Sequence, residues 1–329
     1  MTMNKKRDLT LDAAKGLLIL MVVYAHCFTD GMVHDYIFAF HMPAFFVISG
    51  MTAGLSMEIE KPFAKTILKL LRTLGIPFVF FELLGVAQEL IRYGFALSWK
   101  GYLFNSLTMQ CNNIVNWFLY ALLAAKMISI CTRRYHAHIM AQDVADIGYL
   151  AISVLAMIAA VNFADKTSII IRIVLKIVVA HGFYAIGLRT ASCNIGRKYL
   201  IGGICLISAF VLSCLNEGYA DLNELHFGDP LIFFTAALSG TCGILLLRRK
   251  YCCKPLVWLG QNSLIVMGTH IPILLLARFA TGTTEPTLLH RAGDMALILL
   301  LSVPIAYLVK NFAPFLVGKR KKPRQTVCS

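Results

Sequence analysis

The chain has 329 residues and a formal net charge of +14, with 58% hydrophobic and 15% charged residues and a mean hydropathy of +0.71. An ordinary soluble domain carries about a quarter charged residues and under half apolar ones, so this composition excludes one. The positive charge calls for no nucleic acid partner, because most of it lies in short connections between apolar runs, where it matches an anionic lipid surface.

A helix needs roughly 20 mostly apolar residues to cross the hydrocarbon layer. Read with that window, the chain offers about ten candidates. They are Leu9 to Phe28, Tyr36 to Met57, Leu70 to Arg92, Ile114 to Cys131, Ile147 to Phe163, Ile169 to Leu188, Tyr199 to Asn216, Pro230 to Leu247, Leu256 to Ala280 and Asp294 to Val317. The runs are continuous rather than alternating, which argues against spanning strands. The prediction is an all-α, polytopic transmembrane helical bundle forming a single membrane-embedded domain over residues 1–329. The first run follows Lys5, Lys6 and Arg7, yet Asp12 and Lys15 interrupt it and no small-residue cleavage site follows. It reads as a retained helix rather than a signal peptide.

Short loops rich in Lys and Arg stay cytoplasmic. One set of connections holds Lys5, Lys6, Arg7; Lys61, Lys65, Lys69, Arg72; Arg133, Arg134; Arg189, Arg197, Lys198; Arg248, Arg249, Lys250, Lys254; and Lys319 to Lys322 with Arg324. The alternate connections hold only Arg92, Lys100, Lys166, Arg278 and Arg291, and the stretch Glu217 to Asp229 has four acids with no Lys or Arg. Both termini are therefore predicted to be cytoplasmic. On the outer side, Tyr102 to Met109 reads as a short interfacial or re-entrant helix. The ten cysteines follow no metal spacing and imply no disulfide framework.

Ionisable groups inside a bilayer are costly and usually face a cavity or a partner. The first helix carries Asp12, Lys15 and His26. Lys15 and His26 are eleven residues apart, about three turns, so they share one face and lie about 16 Å apart along the axis. Asp12, three residues before Lys15, is placed to pair with it. The second run carries His41 in Phe40-His41-Met42-Pro43, at a depth similar to His26 on an antiparallel neighbour. Either imidazole suits proton transfer near neutral pH, or simply hydrogen-bonds a carbonyl. Ser49 and Gly50 read as small residues for close helix approach. Lys61, Lys65, Lys69 and Arg72 form a stripe that suits lipid headgroups or a phosphorylated ligand. Among the remaining intramembrane ionisable groups, Glu82 and His270 lie well inside their spans.

The arrangement resembles the acyltransferase-3 family of membrane O-acyltransferases, which includes fucose 4-O-acetylase-like proteins. Leu11-Asp12-Ala13-Ala14 and Lys15 through His26 resemble its opening, a basic residue, ten intervening residues and a His. Phe40-His41-Met42-Pro43 leading to Phe46-Val47-Ile48-Ser49-Gly50 is similar to its second helix. Lys69 and Arg72 match a pair of basic residues three apart, Trp117-Phe118-Leu119-Tyr120 a pattern of its fourth helix, and Leu259-Gly260-Gln261-Asn262-Ser263-Leu264 through His270 its penultimate helix. Arg is commoner in the family at Lys15 and common at Lys69, and Lys keeps the charge without the bidentate fork. Many members add an extracytoplasmic hydrolase-like domain; this chain resembles the stand-alone type.

The resemblance implies an O-acetyltransferase, moving an acyl group, most often acetyl from acetyl-CoA, onto a hydroxyl of a cell-surface or lipid-linked sugar at a bacterial cytoplasmic (inner) membrane. It implies His26 and His41 as catalytic residues, and Lys15, Lys69, Arg72, Trp117 and Asn262 as substrate-binding residues, with no metal. Acetyl-CoA is then a co-substrate, and the partners are acyl-CoA, the sugar acceptor and membrane lipids. His26 is expected to deprotonate the acceptor or to carry the acyl group covalently, and His41 or Asn262 to stabilise an oxyanion. The competing reading is a transporter or flippase for a glycolipid or small polar solute. It lacks the internal repeat and the matched broken helices such proteins show.

Overall fold

The computed structural model describes residues 7–56, 62–94, 98–136, 142–163, 168–193, 198–216 and 219–319. Both termini and the predicted loop cations Lys5, Lys6, Lys61, Lys166, Arg197, Arg320, Lys321, Lys322 and Arg324 lie outside the described residues. In chain order the helices are α1 (Leu9–Cys27), α2 (Met32–Phe38), α3 (His41–Leu55), α4 (Phe63–Leu70), α5 (Ile76–Tyr93), α6 (Trp99–Leu107), α7 (Trp117–His136), α8 (Gln142–Phe163), α9 (Ile169–Thr190), α10 (Tyr199–Leu215), α11 (Pro230–Leu247), α12 (Lys254–Gln261), α13 (Ser263–Thr281) and α14 (Leu288–Phe312). Among the described residues the only extended pairing is a bridge between Asp221 and His226. The molecule is an all-α polytopic bundle. Eight stretches are long and apolar enough to cross a membrane, and two shorter apolar helices, Ile147–Phe163 and Tyr199–Leu215, fall at the other two predicted runs. The patch at Tyr102 is helical, as α6.

Prolines explain where predicted continuous runs break. Proline has no N–H and its ring clashes with the carbonyl four residues back. Pro43 therefore disfavours a helix through Ala39, and the second run divides into α2 and α3 with Phe40 at φ −143° between them. Pro77 stands just beyond a π-helical turn, Leu71–Gly75, that joins α4 to α5. Pro272 sits inside α13 and frees the carbonyl of Gly268, which accepts a hydrogen bond from Asn113 Nδ2 at 2.8 Å. The run predicted from Leu256 is likewise divided, at Asn262. The last helix starts earlier than predicted, at Leu288, because Thr287 and His290 form a capping box.

Two backbone-on-backbone crossings fix the centre. A Cβ at Gly16 would collide with the Leu256 carbonyl, and one at Gly260 with the Asp12 carbonyl, so α1 and α12 meet without side chains between them. Gly50 and Gly187 do the same for α3 and α9 against Tyr184 and Val47, which is the close approach expected at Ser49-Gly50. Inner faces of α1, α3, α7, α9, α11 and α13 form one continuous apolar core. Outward residues such as Leu200, Leu300 and Phe312 are exposed and apolar, as a lipid-facing surface requires.

Candidate active site

His26 stands in the last turn of α1, half-buried, and makes no hydrogen bond to any described residue. The α2–α3 break turns His41 and Phe38 toward it. Phe38 lies edge-on to both imidazoles, with ring centroids 6.4 Å from His26 and 5.0 Å from His41. On the other flank, His270 of α13 is fully buried, its ring 5.1 Å from that of His26. His26, His41 and Trp117 line one cavity of about 70 Å³, together with Met42, Phe45, Phe118, Asp221 and Asn223. The sequence placed His26 and His41 at one depth on adjacent helices, and the structure brings them together.

The hydrogen bonds of the three imidazoles dictate what each can do. A carbonyl oxygen only accepts, so His41 Nδ1 must donate to Ile37 O (2.8 Å) and His270 Nδ1 to Val266 O (3.0 Å). In the neutral ring the other nitrogen then carries a lone pair. Nε2 of His41 is therefore an acceptor and does not suit the expected oxyanion role. Nε2 of His270 is buried with no partner among the described residues, and its ring lies beside that of His26. Asn262 sits at the α12–α13 break, its Nδ2 donating to Trp258 O at 2.7 Å. It does not line the cavity, and its Oδ1 is buried with no partner among the described residues.

The rim of the cavity is held by Glu82, a buried carboxylate accepting from Ser106 Oγ (2.7 Å), Asn112 N (2.9 Å), Asn112 Nδ2 (2.9 Å) and Asn116 Nδ2 (2.8 Å). These bonds clamp the segment between α6 and α7 onto α5, where Gly85 leaves no room for a side chain against Asn112 and Asn113. The clamp sets Ile114, Val115 and Trp117 in the cavity wall. Glu82 is thus a positioning group, which accounts for a carboxylate deep in a span.

The cationic candidates lie toward the opposite end. Lys15 donates to Thr52 Oγ1 at 3.2 Å. It is not Asp12's main partner: Arg7 reaches Asp12 with both Nε and a terminal nitrogen, and Gln261 adds a bond at 3.4 Å. The guanidinium fork takes both carboxylate oxygens, which a Lys one turn away cannot. Lys126 of α7, nine residues from Trp117, falls at the level of Lys15, close enough for their charges to interact. Lys69 is exposed on α4 and Arg72 half-buried on the π-helical turn, and α7 packs against both elements. Gly318, at φ +69°, lies directly on the backbone of Arg72 and Thr73, so the turn Pro314–Val317 backs the segment that carries Arg72.

His270 and Lys126 were visible in the sequence only as charges inside spans; nothing in their spacing tied them to His26 and Lys15. His181, another such residue, contacts Ser129 through Nε2 at 3.0 Å and ties α9 to α7.

A bundle of membrane-length apolar helices around a histidine-lined cavity defines an integral membrane protein. The family described as an acyltransferase domain matches residues 8–310. The chain belongs to this acyltransferase-3 family and is a membrane acyltransferase. No curated protein matches it, and no solved structure does.

Proposed function

We propose that the protein moves an acyl group, acetyl foremost, from cytoplasmic acyl-CoA to a hydroxyl of a cell-surface or lipid-linked sugar in a bacterial cytoplasmic membrane. The observation that carries this reading is one helix stripe with Lys15 at one end and His26, in a histidine-lined cavity, about 16 Å away at the other. That distance suits the pantetheine arm of CoA. Its phosphates would rest on Lys69 and Arg72, with Lys15 and Lys126 nearer the thioester, and Trp117 would wall the acyl end.

His26 takes the proton of the acceptor hydroxyl as its oxygen attacks the thioester carbonyl carbon. The new ester C–O bond forms, the C–S bond breaks, and the departing CoA sulfur takes the proton back from the His26 imidazolium. His270 Nε2, unpartnered among the described residues, would accept the other N–H of His26 once substrate is bound, selecting the tautomer that leaves a lone pair toward the cavity. His41 Nε2 would accept from a neighbouring hydroxyl of the acceptor and steer the sugar. The small cavity favours a short acyl group over a long one.

The test is incubation of purified wild type and His26→Ala with radiolabelled acetyl-CoA and a mixed extract of lipid-linked and polymeric glycans. Label in a glycan with wild type alone supports the reading. With no label transferred and no CoA released by either protein, it fails.

A further inference from the structure

An apolar cavity of about 280 Å³ lies between α5, α13, α14 and the turn Pro314–Val317, and shares no lining residue with the histidine-lined one. Phe80, Leu84, Ile273, Leu276, Ile305 and Val309 line it and are half-buried, so it is an open groove in the side of the bundle. Its one polar lining residue, Thr269, donates its hydroxyl to Ile265 O at 2.8 Å. The walls offer a polar ligand nothing and suit a hydrocarbon chain.

On α13 the lining runs from Ile265 to Leu276, about 16 Å along the axis, or about half the thickness of the hydrocarbon layer. The neighbouring helices agree on which half. Phe80 and Leu84 lie early in α5, Ile265 in the first turn of α13, and Ile305 and Val309 near the end of α14. These helix ends meet the connections rich in Lys and Arg, so the groove has the depth of one leaflet on that side. Two cations stand at this end: half-buried Lys310 follows Val309, and exposed Lys319 lies two residues past Val317. Val317 is buried in one apolar cluster with Ile265 and Ala306, which fixes the turn carrying Lys319 to the groove. The two lysines are near enough for their charges to repel, and Arg7 adds to the repulsion on each. Arg7 is matched by Asp12, whereas neither lysine pairs with a carboxylate among the described residues.

We propose that this groove binds one anionic membrane phospholipid, with an acyl chain between α5, α13 and α14 and the phosphate between Lys310 and Lys319. The site does not depend on the acyl-transfer reading above. A chain that leaves bulk lipid for the groove gains little hydrophobic energy, because lipid tails are as apolar as the walls. The headgroup therefore decides which lipid stays. Lysines beside a membrane attract anionic lipids, and two that lack a carboxylate favour a headgroup with net negative charge. A zwitterionic headgroup brings its own cation, which the same lysines repel.

The experiment is native mass spectrometry of the full-length protein in detergent, mixed with equal amounts of dioleoyl phosphatidylglycerol and dioleoyl phosphatidylcholine. Wild type is expected to hold one phosphatidylglycerol about thirtyfold more tightly than phosphatidylcholine, the attraction of two cations to an anionic lipid. The double variant Lys310→Gln/Lys319→Gln should bring the two lipids to about equal retention. Ile273→Trp and Ile305→Trp fill the groove from two different helices, and each should abolish the phosphatidylglycerol adduct. Neither lysine belongs to the apolar core, so the double variant gives the answer even where a tryptophan disturbs folding. Equal retention of both lipids by wild type, a preference unchanged in the double variant, or an adduct untouched by either tryptophan overturns the proposal. Displacement of the lipid by free glycerol phosphate or by coenzyme A also overturns it, since the lysines would then form a plain anion site or part of the donor's.

Discussion

The two ends of the molecule treat charge in opposite ways. At the end that holds the histidine cavity three arginines are each paired with a carboxylate: Arg172 with Glu224, Arg278 with Asp294 at 2.9 Å, and Arg291 with Asp30. Toward the opposite end Arg7, Lys15, Lys126, Arg72, Lys310 and Lys319 gather, and the carboxylates described there are Asp8 and Asp12. Burial and mutual repulsion hold the Lys319 ammonium below its ordinary range. His41 and His270 are fixed by backbone carbonyls, whereas Lys69 is exposed on a short helix. One end pairs these arginines with carboxylates; at the other, cations outnumber the described carboxylates.

The strongest way to break this contrast is at His26. His26→Ala should lower kcat for acyl transfer by roughly 10²- to 10⁴-fold, the usual worth of a general base, while acetyl-CoA affinity by calorimetry stays within twofold. A parallel loss of affinity would mean the two ends are not separate. The crossing beneath it comes next. Gly260→Val forces side-chain atoms into the Asp12 backbone, and overpacking of this kind costs roughly 1–3 kcal/mol or more. The expected outcome is a lower melting temperature in detergent and little monodisperse protein.

Arg72→Ala should raise KM for acetyl-CoA about tenfold or more, since a hydrogen bond to a charged group is worth roughly 1.5–3 kcal/mol. The exposed Lys69→Ala should cost less, in line with the roughly 0.2–1 kcal/mol of exposed pairs. Both effects should shrink in high salt, whereas acceptor KM should not respond to salt, because screening acts on exposed charge. Equal salt dependence of the two KM values would erase the distinction between the ends.

His270→Ala should lower kcat about 5- to 30-fold, the factor for 1–2 kcal/mol of lost orientation, and shift the pH–rate profile. His270→Gln, whose amide oxygen can also accept, should recover part of the rate. A purely packing role would leave the profile unmoved and treat both variants alike. The smallest effect is at Asn113→Ala, which removes one bond to the Gly268 carbonyl and should cost about 1 kcal/mol in thermal stability.

The sequence by itself determined the bundle, its ten apolar runs and the stripe joining Lys15 to His26, because hydropathy and helical period are local properties that no tertiary contact overrides. It also singled out His41, Trp117, Lys69 and Arg72, and flagged Glu82 and His270 as anomalies without saying what they meet. Only the tertiary structure decided that Glu82 clamps the cavity rim, that Arg7 rather than Lys15 holds Asp12, and that Asn262 donates to Trp258 O at a helix break. It alone set Asp221, 195 residues from His26 in the chain, into the same cavity wall. Partners separated that far are chosen by packing, and packing depends on which glycines let backbones touch and which prolines leave a carbonyl free.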